Sequence, residues 1–173
     1  MKKVAAKDTF ASSSRMVLPN DTNTLNNLMG GQLLNWMDIN AAISAHRHCR
    51  RVVVTASVNH VSFDHAIALG DIVTIESKVS RAFTTSMEVY LDVFVEDHRT
   101  GEKKKCNEAI YTFVAVDQIG RPIEIPELQP ESEMEIKRYG GALRRRQLAL
   151  ILAGKIKPSQ ASELKALFEE GNL

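Results

Sequence analysis

Only two cysteines, Cys49 and Cys106, occur in the 173 residues, far apart and without the spacing of a metal site or a disulfide framework. They read as two reduced thiols. No stretch approaches the roughly 20 apolar residues that a membrane span requires. The basic start, Met1-Lys2-Lys3-Val4-Ala5-Ala6-Lys7-Asp8, holds no apolar run of signal-peptide length. A soluble, cytoplasmic protein without a membrane partner is expected. A surplus of one charge is lacking too: 25% of residues are charged and the net charge is +1, so no bulk field draws the chain to nucleic acid. The basic runs Lys103-Lys104-Lys105 and Arg144-Arg145-Arg146 are not interleaved with aromatics, and such runs are usually solvated faces. Several catalytic signatures are absent: the Gly-x-Ser-x-Gly nucleophile turn, His-Glu-x-x-His, the dinucleotide fingerprint and the phosphate loop. The histidines are scattered. His46 and His48 sit where a helix would end, suited to meeting its dipole, and His60 and His65 flank a strand end without a ligand pair. No metal is expected. Neither internal repeats nor low-complexity tracts appear, and the length suits one domain.

What is present centres on Asn27-Leu28-Met29-Gly30-Gly31 leading into Gln32-Leu33-Leu34-Asn35-Trp36-Met37-Asp38. The pattern predicts a loop turning on two glycines into a helix that reaches about His46. Amides at such a start lack intrahelical partners and carry the positive end of the dipole, which suits an anion or an oxygen that becomes negative during a reaction. Asp38 lies about two turns further in, and helical spacing places Leu34, Ala41, Ala42 and Ala45 around it. Apolar neighbours would desolvate this carboxylate and raise its basicity. Apart from Gln32, Asn35, Asp38, Asn40, Ser44 and His46, the helix is apolar or small on every side. A helix of that kind is surrounded by protein, which for a short chain implies a curved sheet and help from a second copy.

Around this helix the remaining segments read as strands and a helical tail. Residues 1–8 look like a frayed terminus. Phe10–Leu18 reads as an edge strand, stopped by the turn formers Pro19-Asn20-Asp21-Thr22-Asn23. Val52–Val61 is rich in β-branched residues and expected to be buried on at least one face. After Ser62–Leu69, Gly70-Asp71 turns into Ile72–Ser80, where Val73, Ile75, Ser77 and Val79 share a face. Met87–Glu96 alternates with period two, Met87, Val89, Leu91, Val93 and Val95 opposing Glu88, Tyr90, Asp92, Phe94 and Glu96. Arg99-Thr100-Gly101 closes a hairpin into Lys105–Val116. Successive strands with short turns predict an antiparallel sheet, and one helix followed by strands predicts the α+β class. Past the proline-punctuated exit 117–130, Glu131–Tyr139 and Leu143–Leu152 read as helices broken at Gly140-Gly141. A last short helix is capped by Ser159, shares a face of Leu164, Leu167 and Phe168, and stops at Gly171. The division expected is a main domain over 1–130 and a helical extension over 131–173 packed on the sheet or on a neighbouring subunit.

The sequence resembles the hotdog-fold acyl-CoA thioesterases, in the branch of cytosolic acyl-CoA hydrolases. The resemblance rests on Met16-Val17-Leu18-Pro19, Asn27-Leu28-Met29-Gly30-Gly31, Met37-Asp38, Arg47-His48-Cys49, Val54-Thr55-Ala56-Ser57-Val58, Ser86-Met87-Glu88, and Thr112–Asp117 followed by Gly120-Arg121. These motifs span roughly Arg15–Glu133 in one order. The resemblance implies a sausage-like helix wrapped by a curved antiparallel sheet, a homodimer with sites between subunits, and assembly to a hexamer. It implies hydrolysis of acyl-CoA, with Asp38 as the catalytic aspartate, acting either as general base or as nucleophile, Asn27 as its partner from the other subunit, and the amide of Gly31, after Gly30, as the oxyanion donor. It also implies that CoA passes near Thr84, Thr85 and Ser86, with Arg81 as a charge partner. No cofactor is implied, CoA being part of the substrate. The chain departs from many relatives at Met29, where they carry His. Two other readings stand beside hydrolysis: a hydratase or dehydratase on acyl thioesters, which needs a second acid or base where the helix offers only the distant His46, and a non-catalytic acyl-CoA-binding protein.

Overall fold

The computed structural model describes residues 3–59, 61, 63 and 65–170. In chain order the strands are β1 (Lys3–Ala5), β2 (Ala11–Met16), β3 (Val52–Asn59), β4 (Ile72–Ala82), β5 (Ser86–Glu96), β6 (Lys103–Val116) and β7 (Glu127–Gln129). The helices are α1 (Gly30–Cys49), α2 (Glu133–Leu152) and α3 (Ser162–Glu170). Five strands form an antiparallel sheet in the order β2-β4-β5-β6-β3, and β1 pairs with β7, parallel, in a small separate sheet. The hotdog architecture and the α+β class follow.

The period-two strands supply the inner face. Met87, Val89, Leu91 and Val93 of β5 are wholly buried, and Val73, Ile75, Ser77 and Val79 of β4 line up beside them. Against this face α1 lays Leu33, Trp36, Met37, Ala41 and Ala45. Two polar side chains inside are satisfied: Ser77 Oγ donates to Asn40 Oδ1 at 2.6 Å, and Asn40 Nδ2 donates to the Ile75 carbonyl at 3.2 Å. They fix the rotation of α1 against β4, because a buried amide left unpaired is costly.

The structure departs from the sequence expectations in five places. Residues 3–8 are not frayed: β1 is held by β7, and Ala6 and Thr9 are buried. β3 is exposed along nearly its whole length in the single chain, Val52 and Val54 included; it is a terminal strand that pairs only with β6, so its other edge is open. β3 also does not form a hairpin with β4. Helix α2 runs unbroken through Gly140-Gly141, with Arg138 and Arg145 on either side tying it to the sheet, although a glycine inside a helix costs about 1 kcal/mol. Finally, Pro158–Gln160 forms a single 3-10 turn and α3 starts only at Ser162, so Ser159 is not its cap, while Leu167 and Phe168 stay exposed. His60 and the stop at Gly171 lie outside the described residues.

The outer face of β5 is not solvated as alternation alone suggests. Arg145 makes a two-point contact with Glu88 (Nη2–Oε1 2.7 Å, Nε–Oε2 2.9 Å), and Arg138 donates from Nη2 alone to both Asp92 oxygens (2.9 and 2.8 Å) while stacking on Tyr90. Glu135 caps the same arrangement. Burial pushes its carboxyl up, but the N–H of Glu131, the Lys78 ammonium and the N–H of Ser132 outweigh that and hold it at about 2. The carboxylate thus serves helix α2 twice, as the far member of a capping box and as an ion-pair partner.

His48 anchors the other end of α1. Its Nε2 lies 2.8 Å from the Pro126 carbonyl, which can only accept, so Nε2 carries the proton and the buried Nδ1 has no partner among the described residues. Burial pushes the ring's pKa below its ordinary 6.5, against the opposing pull of the Pro126 carbonyl. Below about pH 6.5 the unfolded chain therefore binds a proton that the folded chain does not, and stability falls as pH falls. The urea midpoint should drop between pH 7.5 and 5.5, and His48→Gln should flatten this slope. An equal slope in the variant would assign it to other groups.

Candidate active site

The helix start is fixed by the loop before it. Asp21 accepts from the Leu18 N–H (3.0 Å) and from Gln32 Nε2 (2.9 Å), and its carbonyl accepts from the Met29 N–H (2.9 Å). Asn26 adopts φ 57°, a left-handed conformation that asparagine tolerates better than most residues. Asn23 Oδ1 accepts from the N–H groups of Leu25 (2.9 Å) and Asn27 (3.2 Å), which leaves its NH₂ without a partner among the described residues. No side chain caps α1. The orphan amides at Gly30 and Gly31 therefore remain available, backed by the positive end of a 20-residue helix. A methyl group on Gly31 would meet nothing within 4 Å, whereas one on Gly30 would touch the Phe63 ring at 3.4 Å.

Two clefts flank this helix start and share Phe63. The first, about 740 Å³, is lined by Gly31, Asn35, Asp38, Val58, Asn59 and Tyr111 among others. The second, about 390 Å³, is lined by Asn23, Asn27, Gly30, His65, Cys106 and Asn107 among others. The structure thus brings Gly31 and Asp38 together and places Asn27 and Gly30 on the other side. Arg81, Thr84, Thr85 and Ser86 lie elsewhere again, around the β4–β5 turn. The Thr84 and Thr85 carbonyls accept from Ile125 and Ala115, Arg81 donates to the Tyr139 carbonyl at 3.1 Å, and buried Ser86 accepts from Arg146 at 3.0 Å.

Asp38 is half-buried and open to the first cleft rather than enclosed as the apolar pattern suggested. The hydroxyl of Thr55, at the β3 bulge, donates to Asp38 Oδ1 at 2.7 Å. Oδ2 has no hydrogen-bond partner among the described residues, and Asp38 lines the cleft. Tyr111 lies behind: burial first, and then the negative charge of Asp38, push its phenol up to about 12, so it stays protonated and donates to the Leu34 carbonyl at 3.1 Å. Neither Thr55 nor Asn23 stands out in the sequence. Thr55 looks like any β-branched strand residue, and Asn23 like one more turn former.

One histidine–carboxylate group clusters among the described residues, Asp71, Asp97 and His98. Its atoms are engaged structurally: Asp71 Oδ1 accepts from the His98 N–H and Nδ1, and Oδ2 accepts from the Ala68 N–H. The cluster ties the start of β4 to the β5–β6 turn.

A hotdog sheet with orphan amides and a carboxylate at the start of its central helix defines a thioester-handling class. The comparisons agree. Residues 25–102 match the family model of the thioesterase superfamily, and the chain belongs to that superfamily. It is 42% identical over 139 residues to the "Uncharacterized acyl-CoA thioester hydrolase YkhA" of Bacillus subtilis, covering 80% of this chain and 81% of that one. It is 39% identical over 149 residues to mouse acyl-coenzyme A thioesterase 11, covering 86% of this chain but 25% of that longer protein. Among solved structures, an apo-hexameric acyl-CoA thioesterase superposes with a TM-score of 0.84 at 35% identity, over 88% of this chain and 98% of that one. An acyl-CoA hydrolase from Staphylococcus aureus, in complex with butyryl coenzyme A, coenzyme A and coenzyme A disulfide, superposes with a TM-score of 0.80 at 32% identity, over 95% and 99%. Further structures of the Staphylococcus hydrolase carry alanine in place of an asparagine, an aspartate 15 positions later, and a threonine 17 positions beyond that.

Thr55→Val keeps the β-branched shape that suits β3 while removing the donor to Asp38. Hydrogen bonds to charged groups are worth about 1.5–3 kcal/mol, so thioester turnover should fall about tenfold or more with little change in melting temperature. Unchanged turnover would remove this contact from the working site.

Proposed function

We propose that the protein is an acyl-CoA thioesterase that hydrolyses acyl-CoA to free CoA and a carboxylic acid by water attack on the thioester carbon. The observation that carries this reading is the juxtaposition in one cleft of the open Gly31 amide and Asp38 held by Thr55. In the proposed reaction, the Gly31 N–H and the helix dipole stabilise the thioester oxygen as it becomes negative. Asp38 takes the proton of the attacking water through Oδ2, Thr55 fixing the carboxylate's orientation. The thiolate of CoA leaves. No metal or cofactor takes part.

A second copy of the chain completes the site. β3 offers an unpaired strand edge with Val52, Val54 and Val58 exposed, and Ile39 and Ile43 of α1 are exposed too, a surface a homodimer would cover. The partner contributes an asparagine. Sequence resemblance points to Asn27, whereas Asn23, Asp38 and Thr55 reproduce the 15- and 17-residue intervals of the positions replaced in the Staphylococcus hydrolase. We favour Asn23, whose NH₂ has no partner among the described residues and whose side-chain carbonyl is held by two backbone amides; Asn27 then shapes the loop. Assembly of three dimers, in the cytoplasm, completes the reading, supported by the hexameric neighbour. Residues 1–130 form the catalytic unit and 131–173 its extension.

Thiol release from a series of acyl-CoA lengths tests the proposal. Asp38→Asn should lower turnover at least about 10²-fold while sparing the fold, the low end for a general base. Asn23→Ala should do likewise and Asn27→Ala less; the reverse order would restore Asn27 as the partner residue. Hydration of an enoyl thioester, or CoA binding with no thiol release from any chain length, would replace hydrolysis by the other readings.

A further inference from the structure

Helix α1 turns one narrow stripe of residues outward. Gly31, Asn35, Ile39 and Ile43 are exposed in the single chain and follow one another at four-residue steps. Asn35 is the polar member of that stripe. Its side-chain amide has no hydrogen-bond partner among the described residues, although it lines the cleft that holds Gly31 and Asp38. If a second copy covers Ile39 and Ile43 as proposed, Asn35 is covered with them, and an amide removed from water without a partner is costly. Something in the cleft has to satisfy it.

Helical spacing narrows the choice. Asn35 lies within about 60° of Asp38 around α1 and about 4.5 Å from it along the axis, with Gly31 about 6 Å away in the other direction. Helical side chains lean toward the helix start, so Asn35 projects over the interval between the oxyanion amide and the carboxylate. The thioester carbon and its attacking water belong in that interval. Such a water has two protons, and Asp38 Oδ2 takes one. Unless an acceptor holds the other, the water turns and its lone pair leaves the line to carbon. The Thr55 hydroxyl sits on the Oδ1 side of Asp38, and the hydroxyl of buried Tyr111 is turned to the Leu34 carbonyl. Asn23 has its side-chain carbonyl tied to two backbone amides, which leaves it a donor. Of the side-chain amides lining the cleft, Asn35 and Asn59, Asn35 stands on the helix face that carries Asp38.

Resting on the thioesterase reading, we infer that Asn35 is a catalytic residue whose Oδ1 accepts a hydrogen bond from the second O–H of the attacking water while Asp38 removes the first proton. One water O–H bond breaks toward Asp38, the new C–O bond forms, and the carbonyl electron pair moves onto the oxygen held at the Gly31 amide. The C–S bond then breaks and the thiolate takes the proton from Asp38. The proton bonded to Asn35 stays on the product carboxyl group until solvent removes it.

Thiol release by the assembled full-length protein tests this role. Asn35→Ala should lower kcat at least about tenfold, the loss expected for one hydrogen bond to the reacting water, with KM and the oligomeric state unchanged. Asn35→Asp keeps an acceptor of the same reach but adds charge. Asp38 and Tyr111 are the titratable side chains lining the cleft among the described residues, and a second carboxylate beside Asp38 opposes its ionisation. The acid limb of the kcat profile should therefore move up by about one pH unit or more in Asn35→Asp, with part of the lost kcat regained above it. Should Asn35→Ala not fold, Asn35→Asp carries the test through its pH profile. An unmoved acid limb would overturn the assignment, as would a larger loss from Asn59→Ala than from Asn35→Ala. Loss of kcat that tracks dissociation of the assembly would make Asn35 a subunit contact instead. An active wild type beside an equally active Asn35→Ala removes the assignment alone, whereas a wild type that releases no thiol from any acyl-CoA removes the thioesterase reading with it.

Discussion

One chain cannot cover its own central helix. α1 is apolar on nearly every side, and a five-stranded sheet curls around only part of it. Leu33, Trp36, Met37, Ala41 and Ala45 are buried, while Ile39 and Ile43 remain exposed and β3 closes the sheet with an unpaired edge. Burying apolar area is the main favourable term in folding and association, so the same deficit that leaves the chain incomplete supplies the drive to pair. The candidate chemistry sits at this seam. Gly31 and Asp38 face one cleft and Asn23 the other, with Phe63 between them. If a second copy supplies the asparagine as proposed, activity depends on assembly.

The second constraint lies on the opposite face of the sheet. Glu88 and Asp92 point away from the core on a strand otherwise built for burial, and α2 meets them with Arg145 and Arg138. The bidentate Arg145–Glu88 pair fixes orientation as well as position, and the Arg138–Asp92 pair adds a second anchor to a helix that carries two adjacent glycines. That fixed register also sets Arg146 beside Phe83 and Ser86.

Much of the fold was legible in the sequence because period-two and helical patterns report burial directly. Met87–Val95 alternates and is buried as read, Gly101 turns the β5–β6 hairpin, and the glycine pair opens α1 as expected. The failures share a cause: pattern reports whether a residue suits burial, not what covers it. The β-branched run of β3 suits a buried strand, yet none of the described residues covers it. Glu88 reads as solvent-facing until Arg145, 57 residues on, closes over it. For the candidate site, Asp38 and the helix-start amides stood out by local chemistry. Thr55 did not, because its tie to Asp38 exists only once the register of β3 on β6 sets it against α1. Asn23 was hidden among turn formers that share its composition.

The shared site is tested most directly by complementation. Asp38→Asn and Asn23→Ala, each nearly inactive alone, are mixed in equal amounts, dissociated and reassociated. If each site draws its carboxylate from one subunit and its amide from the other, a mixed dimer regains one intact site, and activity should return to about a quarter of wild type under random pairing. A mixture no more active than its parents would contradict a site built by two chains.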